Sequence, residues 1–372
     1  MIPFFFKPGR AIPAKTRNFL PVLFGTGEGV GQPLRSLGPE ALSALDYQGV
    51  LPLLYWQVVR NGWERHLPPG ILEKIRPSYI LAASLTAHED REIRQALQCL
   101  ENAGLSAILL KGADLRGRVY GDPAVRPMVD FDLLVSEANV SIVTALLGEK
   151  GYMPSPDPLP GFRARFRQVC VLKQPPGKFL PLDLHCGEIR AFQGFYRLSY
   201  ESLAEKAVVR ESGGGSVKVL SPEHTLIHLC LHICHDSRFH VKVLQFIDLS
   251  LTLRRLSFDW PVFLQEVDRC SCQAPVYLVL KYLTELDPGI VPVWALDLLA
   301  QYSPSWMEKL ILSPFGFLPL SLLPFYHHRR LEDWAFYIRA KVWPQDSYRL
   351  GIYGDYAAYM RKVLRKRKLD HP

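Results

Sequence analysis

LLKGADLRGRVYGDPAVRPMVDFDLLV, residues 109–135, is the stretch on which the reading of this chain turns. Its end, Val129-Asp130-Phe131-Asp132-Leu133-Leu134-Val135, sets two carboxylates into an apolar, β-prone run of the kind that forms a buried strand. Side chains on a strand alternate faces, so Asp130 and Asp132 point the same way, roughly 7 Å apart at about 3.3 Å per residue. Two anions held that close repel each other unless a cation stands between them. A hard divalent ion such as Mg²⁺ suits the place, because it takes oxygen ligands and keeps waters or phosphate oxygens in its remaining positions. The strand end therefore reads as a metal cradle.

The residues before it favour phosphate chemistry. An apolar segment, Gly104 to Leu110, breaks at Lys111-Gly112-Ala113 into a predicted helix, Asp114 to Tyr120. Backbone amides at a helix start after a glycine form an anion site, and Lys111 adds a point charge beside Gly112. Neither GxxxxGK[ST] nor GxGxxG occurs, which sets aside a P-loop and a dinucleotide fold. Arg126 supplies either a two-pronged phosphate contact or a salt bridge holding the loop from Gly121 to Pro127.

Further along, Gln168 to Leu172 and Phe179 to His185 read as two strands of a hairpin around Pro175-Pro176-Gly177. In Leu182-Asp183-Leu184-His185 the leucines share one face and leave Asp183, a third carboxylate, with His185 on the other. The alternative is that Asp183 and His185 merely pair on an exposed sheet face. Pro181 places this strand at an edge or has it enter the sheet only after the proline.

The run LLKGADL…VYGDPAVRPMVDFDLLV resembles uncharacterised nucleotidyltransferase-like proteins of the DNA polymerase beta superfamily, which pair a Lys-Gly turn with a later Arg and an Asp-x-Asp strand. The resemblance covers most of the chain and includes LDLHC at 182–186, LSPEHTLIHLCLHICHD at 220–236, FIDLSLTLRR at 246–255 and, less specifically, VWPQDSYRLGIYG near the end. Where the superfamily's usual turn is Gly-Ser or Gly-Gly, this chain has Gly112-Ala113. The resemblance implies an α+β fold with a polymerase-beta-type core, a small mixed sheet with flanking helices, bracketed by helical regions. It also implies an Mg²⁺-dependent enzyme that moves a nucleoside monophosphate from an NTP such as ATP to a hydroxyl or phosphate acceptor. Two Mg²⁺ ions are expected about 4 Å apart, with Mn²⁺ able to substitute. Asp130 and Asp132 would touch both ions, and Asp183 would complete the nucleophile side and assist deprotonation. Lys111 and Gly112 would hold phosphate, and Arg126 would support the triphosphate or the strand. Two other classes compete: a degenerate catalytic fold serving as a binding or regulatory protein, and a nucleic-acid-binding protein.

Outside that core the patterns are helical. The expected divisions are a helical region at 1–103, the core at 104–212, a helical domain at 213–345 and a basic segment at 346–372. A long helix is expected from Ile71 to Asn102, broken or kinked at Pro77 and ended by Gly104. Ser136 is expected to cap a helix from Glu137 to Lys150. Ser221-Pro222-Glu223 reads as the start of another, along which His224, His228 and His232 recur every four residues, with His235 three further on. That spacing would suit a zinc-binding helix, but histidines between leucines are equally packed core positions. The preferred reading sets His228 and His232 against the inter-domain cleft or Asp248, and places them with His185 on the acceptor side.

The chain of 372 residues, 48% hydrophobic and 22% charged, has the composition of a globular protein with two or three domains. Seven cysteines without CxxC pairs fit reduced core thiols, with Cys270-Ser271-Cys272 a weak metal or redox hint. The apolar start MIPFFF is interrupted by Pro3, Lys7 and Pro8, and no window approaches a spanning helix of about 18 apolar residues, so a cytoplasmic protein is expected. The net charge of +8 is concentrated in Arg361 to Lys368, a run that grips phosphates or ends as a solvated tail. The modest charge for this length favours a small-molecule or peptide acceptor over tRNA. The Pro/Leu-rich stretch 313–324 would touch a membrane or a partner, or simply be buried.

Overall fold

A computed structural model of the chain describes residues 12, 14–27, 29–157, 159–161, 170–173, 180–212, 215–236, 242–312 and 331–346. The basic run 361–368 and the stretch 313–324 lie outside the described residues. Among the described residues one mixed sheet has seven strands: β1 (Ala107–Leu110), β2 (Phe131–Val135), β3 (Met153–Pro154), β4 (Cys170–Lys173), β5 (Leu182–Cys186), β8 (Val208–Ser212) and β9 (Gly215–Val219). Their order is β3-β4-β5-β2-β1-β9-β8, and a separate hairpin joins β6 (Glu188–Ala191) to β7 (Tyr196–Ser199). At the centre β2 runs antiparallel to β1 and parallel to β5. The expected α+β architecture, a small mixed sheet flanked by helices, is the one observed.

Alternation along the strands sorts the sheet into two faces. Phe131, Leu133, Val135, Leu182 and Leu184 enter a core with Ile93, Ala96 and Leu100 of the long helix and Val143 and Leu147 of the helix Val140–Glu149. Ile108, Leu110 and Leu134 point the other way, into a larger core. That core takes in the N-terminal helices through Leu23, Leu54 and Ile75, and the later helices through Leu226, Ile247 and Leu283. The helical regions before and after the sheet thus share one hydrophobic cluster. Gln48 Oε1 fastens them further by accepting the Val243 N–H at 2.8 Å.

The long helix runs from Ile71 to Asn102 without interruption at Pro77, which corrects the expected break. A proline in a helix interior costs about 3 kcal/mol for the lost N–H bond and ring clash. Here Ile71 and Ile75 before it and Ala82 after it are buried, and the Ser78 hydroxyl donates to the Ile75 carbonyl at 2.6 Å, so packing outweighs that loss. Gly104, at φ 70°, ends the helix as expected. Its N–H bonds to Glu101 O at 2.9 Å and the next, Leu105 N–H, to Leu100 O at 2.9 Å, a Schellman closure that needs the left-handed residue. The Ser136 side chain makes no capping bond; a short 3₁₀ turn, Glu137–Asn139, precedes the helix. Pro181 stands just before β5, offering its carbonyl to the Phe131 N–H at 3.1 Å, so a strand with a proline at its threshold still lies inside the sheet.

Cys99, Cys186, Cys230, Cys234, Cys270 and Cys272 are free thiols, and burial pushes those of Cys230 and Cys272 well up. No helix among the described residues is long and apolar enough to cross a membrane.

The helix Lys111–Arg118 is pinned to the long helix by Arg116, whose buried guanidinium donates to Glu89 Oε2 and Asp90 Oδ1, each at 2.6 Å. Breaking a buried ion pair from one side strands the other charge, at about 3–5 kcal/mol. Arg116→Met is expected to lower unfolding free energy by about that amount, with partial recovery when Glu89→Gln is added. Urea denaturation of both variants checks this, and an unchanged midpoint for Arg116→Met would contradict it.

Candidate active site

The site is built where β1 gives way to a helix. Leu110, the last residue of β1, is paired with Asp132 in β2, and Lys111 then turns at φ 49°, a left-handed conformation unusual for a side-chain-bearing residue, to start the helix Lys111–Arg118. Gly112 follows in a tight place: a Cβ there would meet Met128 Sδ at 3.1 Å and Arg126 Cζ at 3.4 Å, so those side chains would have to give way. The turn brings Lys111 Nζ to Asp132 Oδ1 at 2.7 Å.

Asp132 is opposite Asp183 in the parallel β2–β5 register, so both project from the same face, with His185 two residues further on. Asp130 lies just before β2, half-buried beside them. His185 Nε2 meets Asp132 Oδ1, the oxygen that Lys111 holds, at 3.0 Å. Burial alone would raise the Asp132 pKa, but Lys111 and then His185 hold it well below the usual carboxylate range. Because the carboxylate only accepts, the His185 proton belongs on Nε2. Asp130 is driven the opposite way: burial, then the Asp132 charge, raises it against the pull of Lys111, His232 and Arg126. The pair is therefore electrostatically uneven, one carboxylate satisfied and its neighbour strained.

The helix Pro222–Asp236 lies over this face, and Ser221 begins it as expected, its hydroxyl oxygen accepting the His224 N–H at 3.2 Å. His228 stacks edge-on to His185 with ring centres 6.4 Å apart. Burial, then the charges of Lys111, His185 and His232, pushes His228 well below the ordinary histidine range, so its ring stays neutral at neutral pH. His232 lies close enough to Asp130 to act on its charge. The other two histidines diverge. His224 Nε2 is 2.9 Å from Glu266 Oε2, and the His235 ring packs on Phe192 at 5.4 Å. The stripe therefore does not converge on one point, as a zinc-binding helix would require.

Arg126 reaches the helix Val243–Arg255. Its Nε and Nη2 donate to Asp248 Oδ1 and Oδ2, both at 2.9 Å, and Nη1 donates to the Pro127 carbonyl at 2.8 Å. Tyr120 Oη completes the cluster, donating to Asp248 Oδ1 at 2.7 Å. Of the two places expected for His228 and His232, the inter-domain cleft or Asp248, the second is taken by others: the partners of Asp248 are Arg126 and Tyr120. The sequence signal was an acid in the apolar helix FIDLSLTL, which demanded a partner without naming it. At its other end the loop is tied by Tyr79, whose hydroxyl donates to Asp122 at 2.6 Å. Gly121 lies so close to Trp56 that a Cβ would approach it to 2.8 Å. The segment leading into β2 is thus clamped from both helical regions.

A family model described as "Uncharacterised nucleotidyltransferase" matches residues 39–287, about two thirds of the chain. The protein belongs to that nucleotidyltransferase family. Comparison with curated proteins finds no match. Family membership points to nucleotidyl transfer in general and to an NTP as donor. The match takes in every candidate site residue: Lys111, Gly112, Arg126, Asp130, Asp132, Asp183, His185, His228 and His232.

The donor set suits a hard cation, since Asp132 and Asp183 share one face, the Asp130 charge acts on Asp132 from just before the strand, and an ammonium already neutralises Asp132. Among the described residues, however, no three His, Cys, Asp or Glu side chains are gathered as a metal cluster. Asp132 and Asp183 are in register, yet they and Asp130 are not closed around a single point.

The unevenness of the Asp pair has a measurable sign. With the folded pKa of Asp130 raised, its protonated form is favoured on folding, a contribution present at low pH and lost as pH rises through the folded pKa. In metal-free protein, Asp130→Asn is therefore expected to raise the melting temperature relative to wild type near pH 7.5 and to give no gain near pH 4. Thermal unfolding in EDTA at the two pH values checks this.

Proposed function

We propose that the protein is an Mg²⁺-dependent nucleotidyltransferase that moves a nucleoside monophosphate from an NTP to a hydroxyl-bearing acceptor. The observation that carries this reading is the register of Asp132 opposite Asp183 with Asp130 beside them, in a chain of nucleotidyltransferase family. Asp130, Asp132 and Asp183 would hold the metal. Bound there, Mg²⁺ would neutralise triphosphate charge and lower the pKa of the acceptor hydroxyl.

The chain's own residues divide the remaining work. Asp183 takes the proton as the acceptor oxygen bonds to the α-phosphorus, and the bond from that phosphorus to the α–β bridging oxygen breaks, releasing pyrophosphate. Lys111 and the Gly112 turn receive the phosphates. Arg126, through Asp248, keeps the loop before β2 in place, so its support goes to the strand. His185, His228 and His232 line the acceptor side, where a neutral His228 offers a hydrogen-bond partner without adding charge. A neutral partner there suits a small polar molecule or peptide better than a polyphosphate chain.

Asp132→Asn is expected to reduce transfer from labelled NTP by about 100-fold or more, the scale of removing a group that stabilises transition-state charge, while leaving the circular dichroism spectrum unchanged. Transfer to acceptors is read by mass spectrometry with ATP, GTP, CTP and UTP in turn. Full activity of the variant at saturating substrate would refute the assignment, and calorimetry showing no NTP binding in the presence of Mg²⁺ would favour a binding or regulatory protein.

A further inference from the structure

We propose that Lys111 is a placeholder cation: its ammonium holds the Asp132 carboxylate until a divalent ion takes that position, and the displaced amine then moves to a phosphate of the incoming nucleotide. The inference rests on the nucleotidyl-transfer reading and deepens it, because it sets the order in which the site assembles.

Asp132 is the carboxylate that most needs a cation. Its side chain is 4% exposed, and a buried carboxylate without a counter-charge would protonate or destabilise the fold. Lys111 meets that need through Oδ1, an oxygen it shares with His185. The same contact conflicts with the two tasks the site must perform, since Asp132 is to bind metal and Lys111 is to bind phosphate. One exchange resolves both, as each group leaves the other for a more highly charged partner. The local charges favour it: among the described residues Lys111 is the cation paired with Asp132, Arg126 bonds to Asp248 and reaches Asp130 only through its charge, and His228 is neutral.

The geometry allows the exchange without moving the fold. Lys111 keeps 18% of its side chain exposed and carries its charge on a flexible four-carbon stem, whereas Asp132 sits on a central strand. The left-handed backbone of Lys111, backed by the tightly packed Gly112, fixes where that stem starts. His185, on the neighbouring strand, stays on Asp132 throughout and keeps the carboxylate aimed while its cation changes. A divalent ion alone must then compete with Lys111, and nucleotide removes the competitor, so the two bind cooperatively.

The test uses the full-length chain and Mn²⁺ as the probe. In calorimetry without nucleotide, Lys111→Met is expected to bind Mn²⁺ about tenfold or more tightly than wild type, the scale for losing a unit charge about 4 Å away in a partly buried site. Lys111→Arg, which keeps the cation, should stay weak. The gain should persist when KCl is raised from about 0.1 to 0.5 M, which screens a merely distant charge. In wild type, acylation of Lys111, read by peptide mass spectrometry, is expected to rise severalfold with Mn²⁺ alone and to fall again when a non-hydrolysable ATP analogue is added. If Mn²⁺ binds wild type but Lys111 labelling does not change, the placeholder role is overturned even where Lys111→Met binds more tightly, and the transfer reading stands. Equal Mn²⁺ affinity in wild type and Lys111→Met overturns it likewise. Absence of Mn²⁺ binding by either protein, with or without the ATP analogue, defeats both the placeholder and the reading on which it rests. Should Lys111→Met fail to fold, the wild-type labelling decides alone.

Discussion

A single buried oxygen, Oδ1 of Asp132, is where the constraints on this protein meet. A carboxylate on the middle strand of a sheet stays ionised only with partners at hydrogen-bond distance, and Lys111 and His185 are those partners. Each arrives from a neighbouring strand: Lys111 from the end of β1, His185 from within β5. The pairing of three strands and the sharp turn after Leu110 bring both partners to that one charge. Lys111 carries its amine to β2 from a left-handed backbone, at φ 49°.

The surrounding helices stabilise that arrangement by enclosing it. Both helical regions share one core with the carboxylate-bearing face of the sheet, so the face is covered by packing even though its chemistry is polar. The Arg126–Asp248 pair carries the same logic to the loop before β2, where a planar guanidinium with two parallel bonds fixes direction as well as distance. Tyr79 and Trp56 hold the loop's other end. A strand carrying a strained acid, Asp130, beside a satisfied one, Asp132, is thereby held in place by contacts that neither acid makes itself.

Particular residues show how far local reading goes. The VDFDLLV strand, the leucine face of LDLHC, the Ser221 cap and the Gly104 closure all follow from period, capping and backbone rules that act within a few residues. At Pro77 the helix does not break, because a local penalty of about 3 kcal/mol is within reach of packing by Ile71, Ile75 and Ala82. The histidine stripe divides for a related reason. Spacing puts His224, His228, His232 and His235 on one side of a helix, yet a side of a helix is wide enough to meet Glu266, His185 and Phe192 separately. Asp248 was legible as a buried acid, while its partner, Arg126, lies 122 residues away.

The sequence by itself determined which residues must be charged and which must be buried: the alternation that puts Asp132 and Leu134 on one face and Asp183 with His185, the glycine at the Lys111 turn and the amphipathic helices around the core. Those properties are set by near neighbours, so they can be read along the chain. Only the tertiary structure decided which charges meet. That Asp132 stands opposite Asp183, that Lys111 rests on Asp132, and that Arg126 is bound to Asp248 depend on strand order and on the docking of distant helices. Strand pairing and buried ion pairs join segments across loops of any length, and their energies depend on desolvation, a property that exists only once the chain has closed around them.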